Sequence, residues 1–140
     1  MQSRIGFIGL GSMGQPMATN IVKGGFELTV YDLRKEPCKA LAALGAKIAA
    51  SPREVAEKSE IIEIAVVDDA QAEQVVAGEH GVIHGVRPGA IVAIHSTILP
   101  ATVRKLAALC RAKGVGVMDV PMSGGQKGAR RRRLHAKGRR

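Results

Sequence analysis

The chain has 140 residues, 46% of them hydrophobic and 17 of them glycine, a composition that fits one domain with a sizeable apolar core and excludes a disordered polyelectrolyte. The formal net charge of +9 is local: residues 127–140 hold eight of the 21 basic residues and no acid, leaving 13 basic against 12 acidic residues in 1–126, so the folded part has no polycation signature. Phe7, Phe26 and Tyr31 are the only aromatics, too few to build the stacking platforms that single-stranded nucleic acid requires.

Strand-like and helix-like segments alternate along the chain. Ile5-Gly6-Phe7-Ile8-Gly9 is a short apolar run closed by glycine and reads as the first strand. Met13, Met17 and Ile21 then recur at helical spacing, with Ala18 and Val22 widening the face. Pro16 is tolerated only in a first turn, which places the helix start at 12–14, and Gly24-Gly25 closes it. Residues 27–31 read as a second strand, 37–44 as a helix ended by Gly45, and 47–49 as a short third strand. Ser51-Pro52-Arg53-Glu54 has the cap, proline and acid of a helix start. The run 61–67 predicts a strand covered on both faces, 70–77 a short helix, and 90–94 another buried strand after the turn Pro88-Gly89. In 101–113, Val103, Leu106, Ala107 and Cys110 share one helical face, and 115–120 forms the last strand. This alternation predicts an α/β fold: a Rossmann-type, doubly wound, mainly parallel sheet with helices on both faces. The apolar pattern stops at Ser123, so the domain is expected to span 1–126, with 127–140 a basic, solvated tail.

Gly9-Leu10-Gly11-Ser12-Met13-Gly14 is a GxGxxG sequence. Its context gives it meaning, because it follows a predicted strand and opens a predicted helix in the first β-α-β unit. Gly9 permits the tight turn, Gly11 lets the backbone approach a diphosphate, and Gly14 lets helix and strand pack closely. The helix N-terminus then offers free N–H groups and a positive dipole end to the phosphates. Asp32, 18 residues past Gly14 at the end of the second strand, can accept hydrogen bonds from both adenosine ribose hydroxyls and would repel a 2′-phosphate. It therefore points to NAD as cofactor. Arg34, two residues on, could pair with that phosphate and keeps NADP as the alternative. Were the glycines mere turn residues and Asp32 a solvated loop acid, strand, helix and acid spacing would have no reason to agree.

The stretch Ile5-Gly6-Phe7-Ile8-Gly9-Leu10-Gly11-Ser12-Met13-Gly14-Gln15-Pro16-Met17-Ala18-Thr19-Asn20 resembles the opening signature of the β-hydroxyacid dehydrogenases, the family of 3-hydroxyisobutyrate dehydrogenase, tartronate semialdehyde reductase and 6-phosphogluconate dehydrogenase. Further marks follow in order: Pro88-Gly89, Ser96-Thr97, and Asp119-Val120-Pro121-Met122-Ser123-Gly124-Gly125. The resemblance covers residues 3–129. It implies that Gly9, Leu10, Gly11, Ser12, Met13, Gly14 and Asp32 hold the cofactor, that Val66 and Val67 line its nicotinamide side, and that Thr97 contacts it near the nicotinamide ribose. Ser123, Gly124 and Gly125 resemble the loop that holds a substrate carboxylate, and consecutive N–H groups at a glycine turn do form an anion-binding concavity. The implied reaction is hydride transfer between the nicotinamide and a small 3-hydroxy acid.

The family's catalytic lysine, its neighbouring asparagine and its all-helical dimerisation domain would fall beyond residue 140, so no catalytic residue is assigned and the chain alone is expected to be inactive, a truncated oxidoreductase. After Gly128-Ala129 the family continues into small residues and another strand, whereas here Arg130-Arg131-Arg132-Arg133 follows, as a frameshifted reading frame would give. The competing reading is a non-catalytic binding protein whose arginine-rich tail docks on nucleic acid or an acidic partner; a solvated extension is favoured, since like charges repel. Cys38 and Cys110 have neither disulfide-framework nor zinc spacing. His80 and His84 lack acidic or cysteine neighbours, so no metal site is expected. His95 and Ser96 point to opposite faces if extended and cannot form a dyad, and His95, which stands where the family carries another residue, is expected to pack. Asp68 and Asp69 read as a helix-capping pair. With no secretory signal and no apolar stretch near the ~20 residues that span a bilayer, the expected location is cytoplasmic.

Overall fold

A computed structural model describes residues 3–120. Among the described residues six strands alternate with five α-helices: β1 (Arg4–Ile8), α1 (Gly14–Lys23), β2 (Glu27–Tyr31), α2 (Lys35–Ala42), β3 (Lys47–Ile48), α3 (Pro52–Glu57), β4 (Ile61–Ile64), α4 (Asp69–Ala77), β5 (Ile91–Ile94), α5 (Pro100–Arg111) and β6 (Gly116–Asp119). A 3₁₀ turn, Val82–His84, lies between α4 and β5. The strands form one sheet in the order β3-β2-β1-β4-β5-β6, and every pairing is parallel. This is the doubly wound order in which the chain reverses direction across the sheet between β1 and β4, opening a crevice at the carboxyl ends of those strands.

Alternation along the strands divides the core in two. Phe7, Leu28 and Val30 face α1 and α2, where Ala18, Cys38 and Leu41 cover them. Ile62, Ile64, Val92 and Ile94 face the opposite layer, packed by Val55 and Ala56 of α3, Val76 of α4 and Leu106 and Cys110 of α5. Burial raises the thiol pKa of Cys38, and lifts that of Cys110 to about 11, which leaves both as protonated core residues rather than nucleophiles.

Several element ends differ from the sequence expectation. The strand expected over 61–67 stops at Ile64. Beyond it the Val66 N–H turns to Ser96 Oγ (2.7 Å) and the Val67 N–H to Gln71 Oε1 (3.1 Å), so the apolar run outlasts the ladder. Glu63, the one acid of that run, stands in the middle of β4. Helix α2 begins and ends two residues earlier than 37–44, because Pro37 fits inside the first turn and leaves Leu44 half-exposed past the end. At the sheet edge β3 keeps only two residues, both exposed.

Candidate functional site

The end of β1 and the start of α1 are joined by a loop that glycine alone permits. Gly9 has φ +97°, in the left-handed region, and a Cβ there would lie 2.0 Å from the Ala65 carbonyl oxygen. A Cβ on Gly14 would lie 1.9 Å from the Gly9 carbonyl oxygen and 3.1 Å from the Phe7 ring, so helix and strand meet at van der Waals distance only without it. Gly11 differs: a Cβ there meets nothing within 4 Å. Its bareness answers to no neighbour inside the described fold, as a position kept open for a ligand would behave. Met13 starts α1 with no side-chain cap and the first turn carries no acid, which leaves its leading amides for another acceptor.

Asp32, just past β2, is tied into this loop. Its Oδ2 accepts from the Leu10 N–H at 2.7 Å, and its Oδ1 accepts from the Arg34 N–H at 2.9 Å and the Arg34 guanidinium at 3.2 Å. The guanidinium also donates to the Leu10 carbonyl at 3.1 Å. Burial raises the Asp32 pKa, but the hydrogen bonds from Arg34 and the Leu10 amide outweigh it and hold the carboxyl below the ordinary value. A carboxylate has about four acceptor positions, so with these three donors in place Asp32 keeps capacity for a further hydroxyl donor. Leu10 buries its side chain in the α1 layer and serves the site through its backbone. An open groove of about 510 Å³ runs along α1, lined by Gly11, Ser12, Gln15, Thr19, Lys23 and Arg34 among others.

Val66, Val67 and Thr97 lie outside that groove, on the turns leaving β4 and β5. Val66 is half-buried, Val67 is 78% exposed and Thr97 is exposed. The two turns are stitched together by buried Ser96, whose hydroxyl accepts the Val66 N–H; the sequence offers Ser96 as a family mark and as a rejected dyad partner of His95, not in this role. Asp68 caps α4 through the Gln71 N–H (2.8 Å). Asp69 does something the capping-pair expectation missed: it accepts from the Leu99 N–H (3.0 Å) and Thr102 Oγ1 (2.6 Å), capping α5 instead. Those bonds lower the Asp69 pKa, the Thr102 hydroxyl first.

His95 makes no contact of a Ser–His dyad. Its ring packs parallel to Phe7, centroids 6.5 Å apart, and its Nε2 is hydrogen-bonded to the Glu63 carboxylate. Glu63 carried no sequence signal beyond being an acid in an apolar run. Among the described residues no group of three or more His, Cys, Asp or Glu is placed to hold a metal, and no helix is long and apolar enough to cross a membrane. Ser123, Gly124, Gly125 and the 127–140 segment lie outside the described residues.

Comparison with known proteins bears out the fold. The family described as the NAD binding domain of 6-phosphogluconate dehydrogenase matches residues 4–136, past residue 129, where sequence reading ended the resemblance. The mitochondrial 3-hydroxyisobutyrate dehydrogenase of Mus musculus is 40% identical over 126 residues, covering 90% of this chain and 38% of its own length. The crystal structure of 3-hydroxyisobutyrate dehydrogenase from Salmonella typhimurium superposes with a TM-score of 0.91 at 35% identity, covering 98% of this chain and 48% of that one. An imine reductase from Myxococcus stipitatus, solved with NADP+, superposes with a TM-score of 0.81 at 25% identity, covering 89% of this chain and 43% of that one. Its V8 variant was solved with NAD+. The chain thus spans about two-fifths of the length of the curated relatives it matches.

Proposed function

The chain belongs to the family of the NAD-binding domain of 6-phosphogluconate dehydrogenase, and from that membership we propose which of its groups hold which part of the coenzyme. The diphosphate lies against the amides of Gly11, Ser12, Met13 and Gly14, where an uncapped helix end meets a glycine with open space around it. Asp32 accepts the adenosine ribose hydroxyls, already aimed by the Leu10 amide and Arg34. That knot at the end of β2 is the observation that carries the reading. Val66, Val67 and Thr97 border the nicotinamide, which when bound gives or takes a hydride. In the whole protein Ser123, Gly124 and Gly125 would hold the carboxylate of a small 3-hydroxy acid. Residues 1–126 are the proposed binding unit, and 127–140 a basic extension to it.

NAD is the preferred form, because Asp32 presents a negative charge where NADP carries its 2′-phosphate and engages the guanidinium that would answer it. A second reading, NADP, draws on the same Arg34, which lines the groove beside Asp32. Titration of intrinsic NADH and NADPH fluorescence separates them. NADH is expected to bind more tightly, and Asp32→Ala to weaken NADH at least tenfold, the scale of a lost hydrogen bond to a charged group. Unchanged NADH affinity in that variant would remove the ribose assignment.

A further inference from the structure

Glu63 is the single acid in the apolar run 61–67 and stands mid-strand in β4. The register sets it beside Phe7 of β1 and Ala93 of β5, and His95, two residues past Ala93, falls on the same face. Along this face of β1, β4, β5 and β6 no other ionisable side chain occurs among the described residues. The His95 side chain is only 7% exposed. Its Nδ1 is buried with no hydrogen-bond partner among the described residues, so Glu63 at Nε2 and the parallel Phe7 ring are what orient it. Stability does not account for the pair, since apolar side chains of like volume usually serve a core as well or better than a buried hydrogen-bonded couple of this kind. What such a couple does supply is one defined geometry.

That geometry is set where it matters for the cleft. His95 sits between Ile94, the last residue of β5, and Ser96. Three links join the exits of β4 and β5: the His95 N–H to the Ile64 carbonyl (2.8 Å), the Val66 N–H to Ser96 Oγ (2.7 Å), and the Glu63–His95 bond. The first two fix backbone spacing. The third is a side-chain strut that resists rotation of the chain at His95, one step before Ser96 and two before Thr97. We propose that Glu63, acting through His95, is a positioning residue for the nicotinamide half of the cleft, holding Thr97 opposite Val66 and Val67. The proposal rests on the assignment of those three residues to the nicotinamide side.

The test compares NADH with ADP-ribose, which shares the diphosphate and adenosine but has no nicotinamide ring. With the 140-residue chain, Glu63→Ala is expected to lose about tenfold in NADH affinity, the scale of one hydrogen bond, with ADP-ribose affinity nearly unchanged. Glu63→Gln, which keeps a hydrogen-bonding group at the same place, is expected to recover most of the loss. If Glu63→Ala does not fold, the apolar couple Glu63→Leu with His95→Met keeps the core filled and is expected to show the same selective loss. Equal losses for both ligands, no loss for either, or wild-type NADH selectivity in the apolar couple would overturn the positioning role. Wild-type chain that binds ADP-ribose as tightly as NADH would instead overturn the nicotinamide assignment beneath it, and wild-type chain that binds neither would overturn the coenzyme reading.

Discussion

At Gly14 a single methyl group would be driven to 1.9 Å from a backbone oxygen, whereas at Gly11, three residues away, it would meet nothing within 4 Å. On the proposed coenzyme assignment, the two glycines separate folding from binding. Gly14→Ala is expected to cost about 3 kcal/mol or more, because the clash is with backbone that cannot yield, and this would show as an earlier thermal transition. Gly11→Ala is expected to change stability by less than about 0.5 kcal/mol while weakening NADH in the same titration, since the new Cβ fills the approach to the diphosphate. Asp32 gives a prediction in pH. Its folded pKa lies below the unfolded one, so its contribution is present above about pH 4 and is lost as pH falls through the folded value. Thermal melts of wild type and Asp32→Asn should therefore differ at neutral pH and converge in acid.

Among the elements, the helix starts are not all held in the same way. Helix α3 is capped from its own sequence: Ser51 Oγ accepts the Glu54 N–H at 3.2 Å, while the Glu54 carboxylate reaches back to the Ala50 N–H at 3.1 Å. Helix α5 has no cap of its own, since Leu99 stands at the N-cap position and its N–H is satisfied by Asp69 from the head of α4. The consequence is an inter-element dependence. Ser51→Ala should cost about 1 kcal/mol, confined to α3. Asp69→Ala should loosen α4 and α5 together, seen as faster amide hydrogen exchange at the start of both helices, while Asp68→Ala should affect α4 alone. Identical exchange at α5 in wild type and Asp69→Ala would show that the bridge is incidental.

For the molecule as a whole, coenzyme binding and the basic segment should be separable. A ligand that binds only the folded chain stabilises it by about 2.7 kcal/mol at a hundred times its Kd, so saturating NADH should raise the melting temperature by several degrees. Deleting 127–140, which removes eight positive charges, should leave that shift intact and abolish any salt-sensitive retention on DNA. Retention that survives the deletion would place a nucleic-acid surface within residues 1–126, where basic and acidic residues nearly balance.

What was readable in the sequence was what depends on neighbours along the chain. Glycine spacing, the helical recurrence of Met13, Met17 and Ile21, the Ser51 cap and the alternation of strand and helix all reflect local sterics and local burial, and β2 appeared at its full extent, 27–31. Element ends were less readable where tertiary bonds compete with propensity, as at Val66 and Val67, whose amides leave the ladder for side chains of other elements. Contacts made by crossing the sheet were decided only in three dimensions. Ser96 to Val66, Asp69 to Leu99 and Glu63 to His95 join residues 30, 30 and 32 positions apart. Nothing periodic relates such residues; they meet because β4 and β5 lie side by side with their carboxyl ends level, so that each exit turn finds its partner on the neighbouring strand.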